Sequence, residues 1–167
     1  DVCSSDLGTS LIDLDDGVVL LEFRTKMNTI GGEVVEGVNK AIQIAEKDFK
    51  GLVIGNEGPN FSAGANLGMV FMMAAEQEFD EIDMAVRAFQ QMNMRVRYSS
   101  IPVVVAPHAL TLGGGCEMTL HADKVVASAE TYTGMVEFGV GLIPGGGGSK
   151  EFALRASDEY SSGDIDE

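Results

Sequence analysis

The segment LTLGGGCE, residues 110–117, read together with FSAGANL, residues 61–67, decides the fold. Each follows a short continuous apolar run, residues 103–106 and 52–54 respectively, and each leads into a helix. Apolar runs of this kind suit strands buried on both faces of a parallel sheet. Glycines are costly to order, so a cluster at a strand-to-helix junction implies that something approaches the backbone closely there. Of the 21 glycines, ten fall between Gly113 and Gly148. A phosphate cradle is one use for them, and spacing argues against it. A dinucleotide fingerprint needs a third glycine where this chain has Pro144 or Met118, and Gly148, Ser149, Lys150 and Glu151 have the wrong order for a P-loop. An oxyanion hole is the other use, because it needs bare backbone N–H groups at helix starts. The two quoted segments both qualify.

Outward from these segments, helices and strands alternate. Val34, Val38, Ala41, Ile42, Ala45 and Phe49 recur every three or four residues and predict a helix over 33–49. Phe79, Ile82, Val86, Phe89, Met92 and Val96 predict a second. A hairpin is expected from residues 11–14 and 18–23, turned by Asp15, Asp16 and Gly17. Residues 124–127 and 133–136 read as short strands, residues 107–113 as a loop, and FGVGLIPGGGG as a loop before a terminal helix. The alternation predicts an α/β layered fold. Residues 1–10 read as a ragged end, 11–156 as the core and 157–167 as an acidic tail that stays disordered.

Composition narrows the function. The net charge is −15, but much of the acidic excess lies at the two ends, in Asp1, Asp6, Asp13, Asp15 and Asp16 and in Asp158, Glu159, Asp164, Asp166 and Glu167. No basic stripe with interleaved aromatics is present, which argues against nucleic acid as a partner. Two cysteines far apart and two histidines form neither a disulfide framework nor a metal pattern. No apolar run reaches the length of a membrane span, and no signal peptide is expected, so the expectation is a soluble, cytoplasmic protein.

FSAGANL, LTLGGGCE and VEFGVGLIPGGGG, in that order, resemble the enoyl-CoA hydratase/isomerase (crotonase) family across residues 11–155. The last of these is most similar to the hydratase part of bifunctional bacterial 3-hydroxyacyl-CoA dehydrogenase/enoyl-CoA hydratase proteins. The resemblance implies a crotonase-like spiral of ββα units, incomplete at its C-terminus. It also implies that the N–H groups of Ala65 and Gly114 form an oxyanion hole for an acyl-CoA thioester. Glu117 would then activate water at C3, and Glu137 would handle the proton at C2, giving syn hydration of a trans-2-enoyl-CoA in fatty-acid β-oxidation. One of two carboxyls facing the same water is expected to hold its proton more tightly. Ala63, Asn66, Lys26 and Gly113 are implied in substrate or CoA binding. Asn66 stands where the family commonly has Asp.

The implied hydratase needs no metal and no cofactor, since CoA arrives with the substrate. The resemblance also implies a fused 3-hydroxyacyl-CoA dehydrogenase domain and a homo-oligomer at full length. Alternative readings are a Δ3-Δ2-enoyl-CoA isomerase, other crotonase chemistry such as dehalogenation, or a non-catalytic acyl-CoA-binding or assembly module. His121, four residues after Glu117, is expected to make a local structural hydrogen bond. Met69, Met72 and Met73 are expected either in an acyl pocket or in the core.

Overall fold

The computed structural model describes residues 3–4 and 8–162. The hairpin exists as β2 (Thr9–Asp13) against β3 (Val18–Phe23), with Asp13 opposite Val19. Its turn is made by Asp15 and Gly17, at φ 68° and 79°, and Asp13 Oδ1 accepts the Asp15 N–H. The first long strand begins before the expected boundary at residue 11, because Thr9 and Ser10 are buried in the ladder. Their hydroxyls hid the strand from a search for apolar alternation. β1 (Cys3–Ser4) pairs beside it, so part of the expected ragged end belongs to the sheet.

Beyond the hairpin the sheet becomes parallel. β3 pairs with β4 (Gly51–Gly55), β4 with β5 (Val103–Val105), and β5 with β7 (Lys124–Val125), giving the order β1-β2-β3-β4-β5-β7. α1 (Gly32–Asp48) buries Val34, Val38, Ala41, Ile42 and Ala45 in the core shared with this sheet. Burial of each larger side chain among them stabilises by roughly 1.5–3 kcal/mol.

The next two helices are packed less evenly. α2 (Leu67–Ala75) has no buried residue. α3 (Phe79–Arg97) follows the predicted range, yet Met92, Asn93 and Val96 are buried while Phe79, Met84 and Val86 stay exposed. The apolar period is therefore anchored in the core only along the second half of the helix.

Residues 110–112, expected as loop, form β6 (Leu110–Leu112), which pairs in parallel with β8 (Tyr132–Gly134) as a separate two-stranded sheet. Three residues whose partner lies some twenty positions on give no local signal. α4 (Gly114–His121) follows β6 directly, and a 3₁₀ turn (Glu137–Val140) follows β8. α5 (Gly148–Ser162) runs well into the stretch expected as a disordered tail, and residues 163–167 lie outside the described residues.

Candidate active site

Strand pairing brings the two glycine segments together. Ser62 bridges Thr111 in parallel, donating its N–H to Leu110 O at 3.1 Å and accepting from Leu112 N at 3.0 Å. The Ser62 hydroxyl donates to Asn28 O at 2.7 Å and accepts the Gly64 N–H at 3.1 Å. Gly64 then turns at φ +85°, where a Cβ would sit 2.8 Å from Leu112 O and 3.3 Å from Gly114 N. The turn before Ala65 thus touches the turn that opens α4. Ala65 is exposed and Gly114 buried. As the first residue of its helix, Gly114 carries an N–H that has no partner within the helix.

The two predicted carboxylates come to this same junction. Glu117 lies one turn into α4 and is 2 % exposed. Its Oε1 accepts the N–H groups of Gly146 at 2.8 Å and Gly148 at 3.0 Å. Burial pushes its proton affinity above the ordinary carboxylate value. The Gly148 and Gly146 N–H groups oppose that shift, and the charge of Glu137 adds to it. Desolvation, ahead of repulsion from Glu137, is thus the main cause of the shift at Glu117. Glu137 stands at the start of the 3₁₀ turn, half-buried. Its Oε1 lies 3.0 Å from the place a Gly113 Cβ would occupy, and its Oε2 is buried without a hydrogen-bond partner.

The implied binding residues lie on the rim of this junction or inside it. Lys26 is exposed in a 3₁₀ turn (Lys26–Asn28), and the carbonyl of the next residue, Met27, accepts the Ala63 N–H at 3.2 Å, so Lys26 and Ala63 are neighbours. Asn66 caps α2, its side chain accepting from Met69 N at 3.4 Å. Gly113 is buried at φ +51° between Glu137 and Gly64. His121 makes the expected local bond, Nδ1 to Glu117 O at 2.7 Å, and its Nε2 faces Glu151 at 3.5 Å. Burial lowers the proton affinity of this imidazole. Met69 and Met72 are exposed, which removes them from the core, whereas Met73 is half-buried.

Sequence reasoning missed how Glu117 is held. The glycines at 146 and 148 serve an internal side chain: a Cβ on Gly148 would fall 2.7 Å from Glu117 Cγ. One on Gly146 would fall 2.6 Å from Glu117 Oε2 and 2.3 Å from the Phe89 ring. Phe89 also covers Gly114, its ring tip 3.1 Å from the Cβ position there. Periodicity assigned Phe89 to an apolar stripe but could not show that the stripe ends over the site. Among the described residues, no three His, Cys, Asp or Glu side chains gather as a metal ion would need.

Comparisons with known proteins show the family and the fold. Residues 14–157 match the family described as enoyl-CoA hydratase/isomerase. The "Probable 3-hydroxyacyl-CoA dehydrogenase" of Bacillus subtilis is 50% identical over 154 residues, which is 92% of this chain and 20% of that protein. The chain thus spans about a fifth of the length of that relative. Among solved structures, an enoyl-CoA hydratase from Polaromonas superposes with a TM-score of 0.82 at 25% identity, covering 87% of this chain and 58% of that one. An enoyl-CoA hydratase from Thermoplasma volcanium gives 0.77 at 26% identity, covering 93% and 63%. The crotonase-like α/β fold is therefore that of this chain, which spans part of it.

Proposed function

Because the chain belongs to the enoyl-CoA hydratase/isomerase family, we propose that it is the hydratase part of a longer fatty-acid β-oxidation protein that adds water to a trans-2-enoyl-CoA. In this reading the thioester oxygen rests on the N–H groups of Ala65 and Gly114, where enolate charge develops. Each such donor is worth about 3 kcal/mol of barrier lowering. Glu117 takes a proton from the attacking water as its oxygen bonds to C3, and Glu137 delivers a proton to C2, giving the 3-hydroxyacyl-CoA. The CoA phosphates pass the Lys26 turn, with Ala63 and Asn66 beside the nucleotide end and Gly113 beneath the thioester. No metal or redox cofactor takes part.

The observation that carries this reading is the seat of Glu117. A carboxylate nine-tenths buried, with one oxygen fixed by two N–H groups and its proton affinity raised by burial, is a better proton acceptor than an ordinary solvated one. A second carboxylate with an unpartnered oxygen borders the same glycine turn, and the pair favours hydration over an isomerase that moves one proton with a single acid. The name of the Bacillus subtilis relative supports a fused dehydrogenase in the whole protein. Among the described residues no helix is long and apolar enough to cross a membrane, and we place the whole protein in the cytoplasm as a homo-oligomer.

Hydration of crotonyl-CoA by the native-length protein tests the proposal. Glu117→Gln and Glu137→Gln are each expected to lower kcat by at least about a hundredfold. A parent that binds the thioester without turning it over would point instead to a binding module.

A further inference from the structure

Glu117 is held by backbone groups, and those groups are themselves held from the far side. Gln90, Asn93 and Arg97 step along α3 at helical spacing, on a face that meets the glycine segment and the start of α5. Gln90 Nε2 donates to Gly145 O at 2.6 Å, and Asn93 Nδ2 donates to Gly146 O at 3.0 Å. Arg97 pairs with the buried carboxylate of Glu151. The carbonyl of Gly145 and the N–H of Gly146 belong to one trans peptide unit, so they point in opposite directions. Gln90 grips one end of that unit while its other end donates to Glu117 Oε1. Asn93 grips the next unit, which lies between the two N–H groups, of Gly146 and Gly148, that hold the carboxylate.

Asn93 also shows a cost without an evident structural return. It is 0 % exposed, and its Oδ1 has no hydrogen-bond partner. An apolar residue would fill the position without leaving a buried acceptor unpaired. What the amide gains there is the bond to Gly146, and its Nδ2 sits 2.9 Å from the place a Gly146 Cβ would occupy, beside Glu117 Oε2. We propose that Gln90 and Asn93 are positioning residues for Glu117, Gln90 fixing the peptide unit whose N–H holds its carboxylate and Asn93 fixing the unit that joins the two holding N–H groups. This role rests on the hydratase reading for its effect on turnover, though not for its effect on geometry.

The pH consequence has a definite sign. The Gly148 and Gly146 N–H groups favour the ionised form of Glu117. Loosening them leaves burial and Glu137 less opposed, so Glu117 holds its proton to higher pH. Titratable groups on the elements packed around it include Arg97 on α3, Cys116 and His121 on α4, and Lys150 and Glu151 on α5. None of them is altered by the substitutions used in the test.

The test uses the native-length protein with Gln90→Ala, Asn93→Ala and Gln90→Lys, the last restoring a donor toward Gly145 O. Gln90 is exposed, so its variants keep the test open should Asn93→Ala fail to fold. Crystal structures of the variants read the distances from Glu117 Oε1 to Gly146 N and Gly148 N, and the pH dependence of kcat/KM for crotonyl-CoA reads the ionisation. We expect Gln90→Ala to lengthen the Gly146 contact, to move the acid limb to higher pH and to lower kcat at least about threefold with KM little changed, and Gln90→Lys to reverse all three. Unchanged contacts overturn the positioning role whatever the activity. A drop in activity with an unmoved acid limb also overturns it, since a loss of folded protein would do that. If the parent shows no hydration, the hydratase reading falls, and the crystal structures alone decide the positioning role.

Discussion

The two glycine turns that meet at the candidate site open onto helices of opposite character. The turn at Gly113 leads into α4, which is buried over residues 114–119 and again at His121. The turn at Gly64 leads into α2, which has no buried residue and relies on the Asn66 side chain for its cap. A helix start held by the core is a fixed platform, whereas one held by a few local bonds keeps freedom to adjust. If both turns supply an N–H to the same oxygen, the Gly113 turn is backed by its own buried helix, and the Gly64 turn by the Ile30 N–H that bonds Gly64 O at 2.8 Å rather than by its helix.

Substitutions can break or sharpen this contrast. The largest effect on stability is expected at the contact itself. Gly64→Ala forces a side chain into φ +85° and a Cβ to 2.8 Å from Leu112 O, which should cost about 2–4 kcal/mol from strain and overpacking together. Chemical denaturation measures this, and a loss below about 1 kcal/mol would mean that the two turns separate easily.

Glu117→Gln probes the rigid side. Gln keeps an oxygen for the Gly146 and Gly148 N–H groups and removes a buried charge. Because the folded state raises the proton affinity of Glu117, its contribution to stability is fully present below the unfolded carboxyl value of about 4.3. It is lost as pH rises through the higher folded value. The variant should therefore melt a few degrees above the parent at pH 8 and level with it at pH 4. A gap that is the same at both values would place the burial cost elsewhere. Asn66→Ala probes the loose side and should cost only about 0.5–1 kcal/mol, at the low end for a cap, because its bond to Met69 N is long at 3.4 Å. A larger loss would show that α2 is more firmly anchored than its exposure suggests.

The same contrast explains what could be read from sequence. α1, α3 and the strands at residues 52–54 and 103–105 announce themselves through period and apolar run, because burial on one face or both leaves a local pattern. Glu117 and Glu137 are singled out only by the family resemblance of the segments that carry them, since composition alone reads each as a surface residue. The seat of Glu117 is not legible, since Gly146, Gly148 and Asn93 reach it from distant parts of the chain. Asn93 sits next to Met92 in a helix whose apolar stripe dominates the reading, and nothing local marks it as buried. β6 was missed for the same reason, its partner β8 being a later segment. Thr9 and Ser10 were missed because polar side chains can line a buried ladder when their hydroxyls are satisfied.

A crystal structure of the native-length protein with 3-hydroxybutanoyl-CoA bound tests the central claim most directly. The account predicts the thioester oxygen within about 3 Å of both Ala65 N and Gly114 N, with the C3 hydroxyl facing Glu117 and C2 facing Glu137. An oxygen bound to neither nitrogen, or a product whose C2 and C3 lie out of reach of both carboxylates, would contradict it.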